Sequence, residues 1–503
     1  MHQLRTSIFN YINPRNIFTL LGFLFIAQQV FVLFSFSLNQ SDTDQMLMWE
    51  AAKDMSQGHF YTPYFYGQKY NSMAEAVLAT PLILLGLKVF YAVPLATWVM
   101  SLFPWIIIFL YCKKHTLYSG GILILLLLFS LSQQYAILTH MSRGFVQAIF
   151  FTFIGLGFWW FGSKKPIHFF LLLFLTLLGS LQVPNNVLLY PSIVLLFWDK
   201  LWLRRWYLIY GTIAFFMVGV IYFGVENIYL HHPEYVVHPK PLIKANISQF
   251  LSNIKSIHLL FIHIFKGQES AHLACIFCGV LIGIITKKYW QMLIFLFIVV
   301  LSISINKVAD VTESVFFSGG RFYMAIPLVF ALFLLKKFSL KPKVLLAIAF
   351  VGIGLSFIQT AGFSKDITTK PWRGKEAPVL SFTLDEINCA CDSIQKITEA
   401  SEALIIYDHY FVEAVSLGCP ILKKEFPLSS RYRYERRSWL KSKMDCMIPK
   451  RYTVMDRFSS PDSVRTLFHT IELQWIEGQA YRIENKRGLR LDSIMRLWNQ
   501  VPR

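Results

Sequence analysis

Asn39 to Glu75, NQSDTDQMLMWEAAKDMSQGHFYTPYFYGQKYNSMAE, is a polar and aromatic loop set between two strongly apolar regions. It carries two carboxylates, Asp42 and Asp44, directly after the first apolar run. A loop carboxylate beside lipid is a candidate base whose surroundings can tune it. Either aspartate also suits the N-cap of a following helix, MLMWEAAKDM. The loop continues as an amphipathic helical segment, Gln45 to Ser56, and then Gly58, Pro63 and Gly67 break the chain into turns rich in Tyr and Phe. It reads as the reaction loop of a membrane-embedded enzyme.

The chain around this loop has 503 residues, 55% hydrophobic and only 15% charged, which excludes an ordinary soluble domain and indicates a polytopic membrane protein. The formal charge of +19 does not indicate nucleic acid. Its basic residues fall largely as doublets between apolar runs, Lys113-Lys114, Lys164-Lys165, Arg204-Arg205, Lys287-Lys288 and Lys336-Lys337, as expected where helices are oriented in a bilayer.

Apolar runs near 17–38, 91–112, 117–138, 145–162, 166–182, 184–200, 206–224, 271–286, 289–305, 321–336 and 343–361 give about eleven spans. Arg5 and Arg15 precede the first, which reads as a retained span with a cytoplasmic N-terminus. Each doublet then falls in a cytoplasmic connection. The outer side receives the reaction loop, the His140–Gly144 turn, the Pro184–Asn186 turn, 226–270, 306–320 and everything after Ala361. Met73 to Leu87, interrupted by Pro81 and Gly86, is too short to cross and reads as an interfacial helix. The expected domains are therefore 1–361, a helical membrane module with its first outer loop at 39–90, and 362–503, an outer soluble α/β or α+β domain. That domain is expected to hold a buried strand over Ala403–Tyr407 and helices over Ser381–Ala400 and Pro461–Gly478. Four of seven cysteines lie there, Cys389, Cys391, Cys419 and Cys446, allowing up to two disulfides in an oxidising compartment, with the pairing open.

The order in the loop carries a resemblance. An acid just past the first span, then Ala52, Met55, Gly58, Pro63, Gly67, Gln68, Lys69 and Tyr70, resembles the first outer loop of the GT-C glycosyltransferases. The pattern is similar to the protein O-mannosyltransferase and lipid A aminoarabinose transferase group. Where aminoarabinose transferases continue with Lys-Pro-Pro, this chain has Asn71, Ser72, Met73, Ala74 and Glu75, so the resemblance supports the class and leaves the sugar open.

The resemblance implies transfer of a sugar from a polyprenyl-phosphate donor to a lipid, glycan or protein acceptor on the outer side, in bacteria the periplasmic face of the inner membrane. It implies an inverting reaction with no cofactor and no metal. Such a reaction uses a carboxylate to take the acceptor proton, cations for the leaving phosphate and aromatic walls. Asp44 is the expected base, with Asp42 as alternate. Arg321, Lys69 and Arg143 are the candidate phosphate ligands, Arg321 lying with Tyr323 in SGGRFYMAIP like the R-x-Y of a late helix in these enzymes. Arg143 and Arg321 also suit headgroup anchors. Gln68, Tyr70 and Glu75 are candidate sugar contacts, Glu75 equally suited to interface water. Asn185 and Asn186 fit turn chemistry better than sugar binding. The basic cluster Arg431, Arg433, Arg436, Arg437, Lys441 and Lys443 suits anionic headgroups or a solvated face.

The histidines of 226–270 lack the spacing of a zinc site, and Asp42-Thr43-Asp44 as a bare D-x-D is a weak metal pattern. A transporter or flippase of lipid-linked glycans would favour internal repeats and charges at mid-span, which the sequence lacks. A glycan polymerase or ligase would gather arginines in one large outer loop, and 226–270 has none.

Overall fold

A computed structural model describes residues 13–163, 165–183, 188–201, 205–236, 245–259, 261, 264–265, 270–305, 322–366, 381–398, 401–407, 415–423, 430–432, 446–456, 462–464 and 480–500. Helix α1, Pro14–Val32, opens under an Asn13 cap and ends in a π-helical turn, Leu33–Ser37. Strand β1, Gln40–Ser41, leads into α2, Thr43–Ser56, and α3, Ala74–Leu84. Apolar helices follow: α4 Val89–Lys114, α5 Tyr118–Phe129, α6 Gln133–His140, α7 Gln147–Phe161, α8 Pro166–Gln182, α9 Leu189–Leu201 and α10 Arg205–His231. Next come α11 Ile247–Lys255, α12 Ala271–Thr286, α13 Tyr289–Ser302, α14 Ile326–Leu334 and α15 Pro342–Asp366. The C-terminal region adds β2 Phe382–Thr383, α16 Leu384–Thr398, β3 Ala403–Tyr407, α17 Cys419–Leu422, β4 Ser430–Tyr432, β5 Arg451–Asp456, β6 Ala480–Glu484 and α18 Leu491–Trp498.

The chain divides into two compact units. The first comprises 1–39, 94–224 and 241–381, and the second 40–93, 225–240 and 382–503. Among the described residues four helical stretches are long and apolar enough to cross a membrane: Pro14–Ser37, Val89–Lys114, Leu208–His231 and Lys343–Gly362. Further apolar helices, α5, α7, α12 and α13 among them, are shorter.

Within the first unit α15 packs on α1 and α5, α7 on α8, and α12 on α13 and α14. Small residues permit two close approaches. A Cβ on Gly120 of α5 would lie 2.6 Å from the Leu334 carbonyl oxygen, and one on Gly155 of α7 would lie 2.7 Å from Cα of Leu172. The span expected over 117–138 is two helices. Ser132 interrupts it, its hydroxyl capping α6 by accepting the Tyr135 N–H at 3.0 Å. The break leaves backbone groups to satisfy. The Ser132 N–H donates to the Ile264 carbonyl at 2.9 Å, and the Leu131 carbonyl accepts from Gln359 Nε2 at 3.0 Å. Gln359 in turn accepts from Gln28 Nε2 at 2.8 Å, so both buried amides have partners. The helix expected to end near 224 runs to His231, placing Glu226 and Tyr229 on α10 rather than in a loop.

In the second unit β1 and β2 pair antiparallel, Gln40 opposite Thr383 and Ser41 opposite Phe382. A four-stranded sheet has the order β4-β3-β5-β6, parallel except between β5 and β6. Strand β3 is the one expected at Ala403–Tyr407, buried along its whole length. Helix α18 closes one face, its Leu491, Ile494, Met495 and Trp498 falling on one stripe and joining Tyr452, Val454 and Tyr481 in a common core. Trp498 Nε1 donates to Asp456 Oδ2 at 2.6 Å, satisfying a carboxylate with no solvent exposure. The helix expected over Ser381–Ala400 runs from Leu384 to Thr398 and starts in a reciprocal cap: the Thr383 N–H donates to Glu386 Oε2 at 2.9 Å, and Thr383 Oγ1 accepts the Glu386 N–H at 3.2 Å. The helix expected over 461–478 lies mostly outside the described residues. Of the four C-terminal cysteines, Cys391 and Cys419 form a disulfide joining α16 to α17, and Cys389 and Cys446 are free and exposed.

Replacing the disulfide pair, Cys391→Ser with Cys419→Ser, should lower the stability of the second unit by about 2–4 kcal/mol. Thermal unfolding of the full chain checks this, alongside mass mapping of the linked peptides without reductant. Asp42→Ala should cost about 1 kcal/mol through loss of the α2 cap. Asp44→Asn should leave the unfolding midpoint nearly unchanged, and a larger loss than for Asp42→Ala would contradict the capping assignment.

Candidate functional site

The two loop aspartates separate by position on α2. Asp42 is the N-cap, in extended conformation, and Oδ1 accepts the Gln45 N–H at 2.8 Å. It is 1% exposed. Asp44 lies in the first helical turn and is half-buried. A carboxylate there faces the positive end of the helix dipole. The same helix buries Trp49 and Glu50, which the sequence reading did not single out.

The end of α2 explains the first glycine of the pattern. Gly58 has φ +84°, and its N–H donates to the Met55 carbonyl at 3.0 Å while that of His59 donates to the Asp54 carbonyl at 2.9 Å. This is a Schellman closure, which needs a left-handed residue. Asp54 is further held by the Tyr66 hydroxyl, 2.8 Å from Oδ2.

Residues 62–72 form a small hairpin. Tyr64 pairs antiparallel with Ser72, and the Phe65 N–H donates to the Asn71 carbonyl at 2.7 Å. The Gln68 N–H donates to the Phe65 carbonyl at 2.9 Å, closing a turn with Gly67 at φ +73° in its third position. That is type II geometry, which favours glycine at that position. The motif glycines therefore serve backbone shape, and the hairpin tip presents Gln68, Lys69 and Tyr70. Gln68 is largely buried, Lys69 and Tyr70 half-buried.

Lys69 Nζ lies 2.5 Å from Glu226 Oε2 and 5.9 Å from the centre of the Tyr229 ring. Both partners come from the last turns of α10, within the stretch 226–270 expected beyond the span on the outer side. Tyr229 is bound twice more to the hairpin: its hydroxyl accepts the Tyr64 N–H at 3.2 Å, and the two rings stack at 5.8 Å. Glu75 sits in the first turn of α3 with no solvent exposure. So Asp42, Asp44, Gln68, Lys69, Tyr70 and Glu75 all belong to the second unit.

Arg143, in the first unit, occupies a tight turn. Its N–H donates to the Met141 carbonyl at 3.0 Å, Gly144 follows at φ +77°, and the guanidinium lies 5.9 Å from the Phe145 ring centre. Ser142 is fixed by Thr97, 2.7 Å between hydroxyls. His140 precedes it, its Nδ1 donating to the Ala136 carbonyl at 2.6 Å. Burial pushes the imidazole down to about 4, the Ala136 bond opposing the shift. At neutral pH His140 is uncharged, so Arg143 supplies the positive charge of this turn.

Tyr323 is packed inside the first unit. Its hydroxyl is 2.6 Å from that of Ser302 and its ring centre 4.7 Å from that of Phe261. Arg321, Asn185 and Asn186 lie outside the described residues, as do Arg433, Arg436, Arg437, Lys441 and Lys443. His231 and His232 turn to local partners, the Asn227 carbonyl and Glu234. Among the described residues no cluster of three or more His, Cys, Asp or Glu side chains has the arrangement of a metal site.

No family model matches the sequence, and no curated protein sequence matches it. One solved structure does match in fold: the crystal structure of ArnT from Cupriavidus metallidurans in the apo state, with a TM-score of 0.54 at 12% identity. The match covers 94% of this chain and 98% of that one, so the two share an architecture from end to end. At that identity the likeness is one of fold: this chain has the fold of ArnT.

Proposed function

We propose that this chain is an integral-membrane glycosyltransferase that takes a sugar from a polyprenyl-phosphate donor and passes it to an acceptor on the outer side of a bacterial inner membrane. The observation that carries the reading is the end-to-end likeness to ArnT, joined to a first outer loop with an acid on a helix N-terminus and a lysine on a hairpin tip.

In the reaction an acceptor oxygen or nitrogen forms a bond to the anomeric carbon as the bond from that carbon to the phosphate oxygen breaks. The acceptor proton passes to the Asp44 carboxylate, and the electron pair leaves with polyprenyl phosphate. Attack opposite the leaving group inverts the anomeric centre. Lys69 is assigned to the phosphate on the ground that an ammonium with three donors suits a tetrahedral oxyanion. Arg143 and Arg321 take the same assignment on the sequence reading alone. Gln68, Tyr70 and Tyr323 are assigned to substrate contact in the same way, as is Glu75 to sugar hydroxyls. A lipid-linked donor brings its own activated leaving group, so the scheme includes no metal or cofactor.

The disulfide between Cys391 and Cys419 supports an oxidising side for the C-terminal domain at 362–503, and a cytoplasmic N-terminus follows from the basic doublets. Free Cys389 and Cys446 should accordingly react with a membrane-impermeant maleimide in intact spheroplasts, while buried Cys112 and Cys275 should not. Labelling of the exposed pair only after lysis would reverse the orientation.

The activity test is transfer of radiolabelled sugar from a panel of polyprenyl-phosphate sugars in reconstituted membranes. Asp44→Asn should lower transfer by roughly 100-fold or more, and chelator should leave the wild type unaffected. Full activity in Asp44→Asn would move the base elsewhere. Movement of lipid-linked glycan across the bilayer without transfer would establish a transporter.

A further inference from the structure

Lys69 is already engaged in this structure. Its ammonium is 2.5 Å from the Glu226 carboxylate, each side chain 27% exposed, and lies over the Tyr229 ring. These partners are fixed from behind. Tyr229 is stacked on Tyr64, accepts its N–H, and meets Tyr235 edge-on at 6.3 Å. His232 stacks on Tyr235 at 4.8 Å and bonds Glu234 at 2.9 Å. The end of α10 and the short 3-10 turn Pro233–Tyr235 thus form an aromatic brace along one side of the hairpin, with Glu226 its contact to the lysine.

From this geometry we infer that Glu226 is a counter-ion that competes with the donor phosphate for Lys69 and so sets the affinity of the site for phosphate. The inference rests on the assignment of Lys69 to the donor phosphate. An ammonium cannot turn its full charge to two anions without bringing those anions together, and a carboxylate beside a phosphate repels it. Phosphate binding therefore requires Lys69 to loosen from Glu226. The pair places the ammonium over the Tyr229 ring and is weak enough to exchange. A partly exposed pair is worth about 0.2–1 kcal/mol, well within what a charge-assisted phosphate contact returns. Glu226 would thus hold Lys69 in place before the donor arrives and repel the phosphate product afterwards, favouring its release.

The test is equilibrium binding of polyprenyl monophosphate to the full-length protein in detergent micelles, with inorganic phosphate as a second ligand, for wild type, Glu226→Gln, Lys69→Gln and the double variant. Glu226→Gln should bind the lipid phosphate roughly three- to tenfold tighter, the lost competition and the lost repulsion acting together. Lys69→Gln should bind weakly, and adding Glu226→Gln to it should recover little, because most of the gain runs through the lysine. Glu226→Asp should keep wild-type affinity or fall between, and thermal midpoints should confirm that all variants are folded. Equal or weaker binding by folded Glu226→Gln, with wild type binding normally, would overturn the inference and leave the transferase reading standing. A gain of the same size in the double variant as in Glu226→Gln alone would also overturn it. Tightening seen with inorganic phosphate and not with the lipid would refute the lipid donor as the competing ligand. Absence of lipid-phosphate binding by wild type would overturn both this inference and the donor assignment.

Discussion

The second unit depends on four residues of backbone pairing. Gln40 and Ser41, at the start of the loop, lie antiparallel to Thr383 and Phe382, at the start of the C-terminal region. From each side of that ribbon a helix departs at once, α2 under the Asp42 cap and α16 under the Thr383–Glu386 box. Caps fix where a helix begins and the direction of its first turn. Two segments distant in sequence therefore leave one ribbon with set directions. The disulfide then ties α16 to α17, the Lys53 ammonium donates to the Pro420 carbonyl at 3.1 Å, and a Cβ on Gly418 would meet Met46 Sδ at 3.1 Å. These contacts hold the acid-bearing helix against α17 and the residue before it, and a loop of this length gains from them an order its own sequence does not supply.

The hairpin gains its order differently. A turn such as 62–72 has a few backbone bonds of its own, too few for independent stability. Its rings supply the remainder by stacking on α10, and the Tyr229 hydroxyl takes a backbone N–H that the hairpin leaves unused. The consequence reaches Lys69, which loses side-chain freedom to a helix that also carries its counter-ion. Positioning and charge balance at the hairpin tip then come from one element.

What was legible in the sequence follows the range of the interactions. Helices α1, α4, α7, α12 and α13 start within three residues of the expected spans, since an apolar run and its flanking polar residues are local information. Strand β3 and helix α16 were legible for the same reason, as was Asp42 as a cap. The break at Ser132 was not, although the residue is a good cap, because an apolar run with one serine also fits a continuous span; Gln359 and Ile264 decide it by satisfying the opened backbone. The overrun of α10 was obscured by Glu226, which reads as the end of an apolar run when its partner is unknown. Nothing local links residue 226 to residue 69, or 40 to 383, and those two links shape the candidate site.

Position also separates Asp44, the expected base, from its alternate Asp42 and from Glu75. Asp42 has committed Oδ1 to the α2 cap and is shut from solvent, and Glu75 is shut away at the start of α3. A group that takes a proton from an incoming acceptor has to be reachable by that acceptor, within hydrogen-bond distance or through one water. Asp44 is half-buried on the first turn of α2, and its remaining exposure leaves a path to it. Removing the Asp42 carboxylate disturbs the helix that presents Asp44, so loss of activity on mutating Asp42 is weak evidence for a chemical role. Only a variant that keeps the cap and lacks the second carboxylate separates the effect of the cap on α2 from the proposed role of Asp44 as base, which makes Asp44 the informative position in this loop.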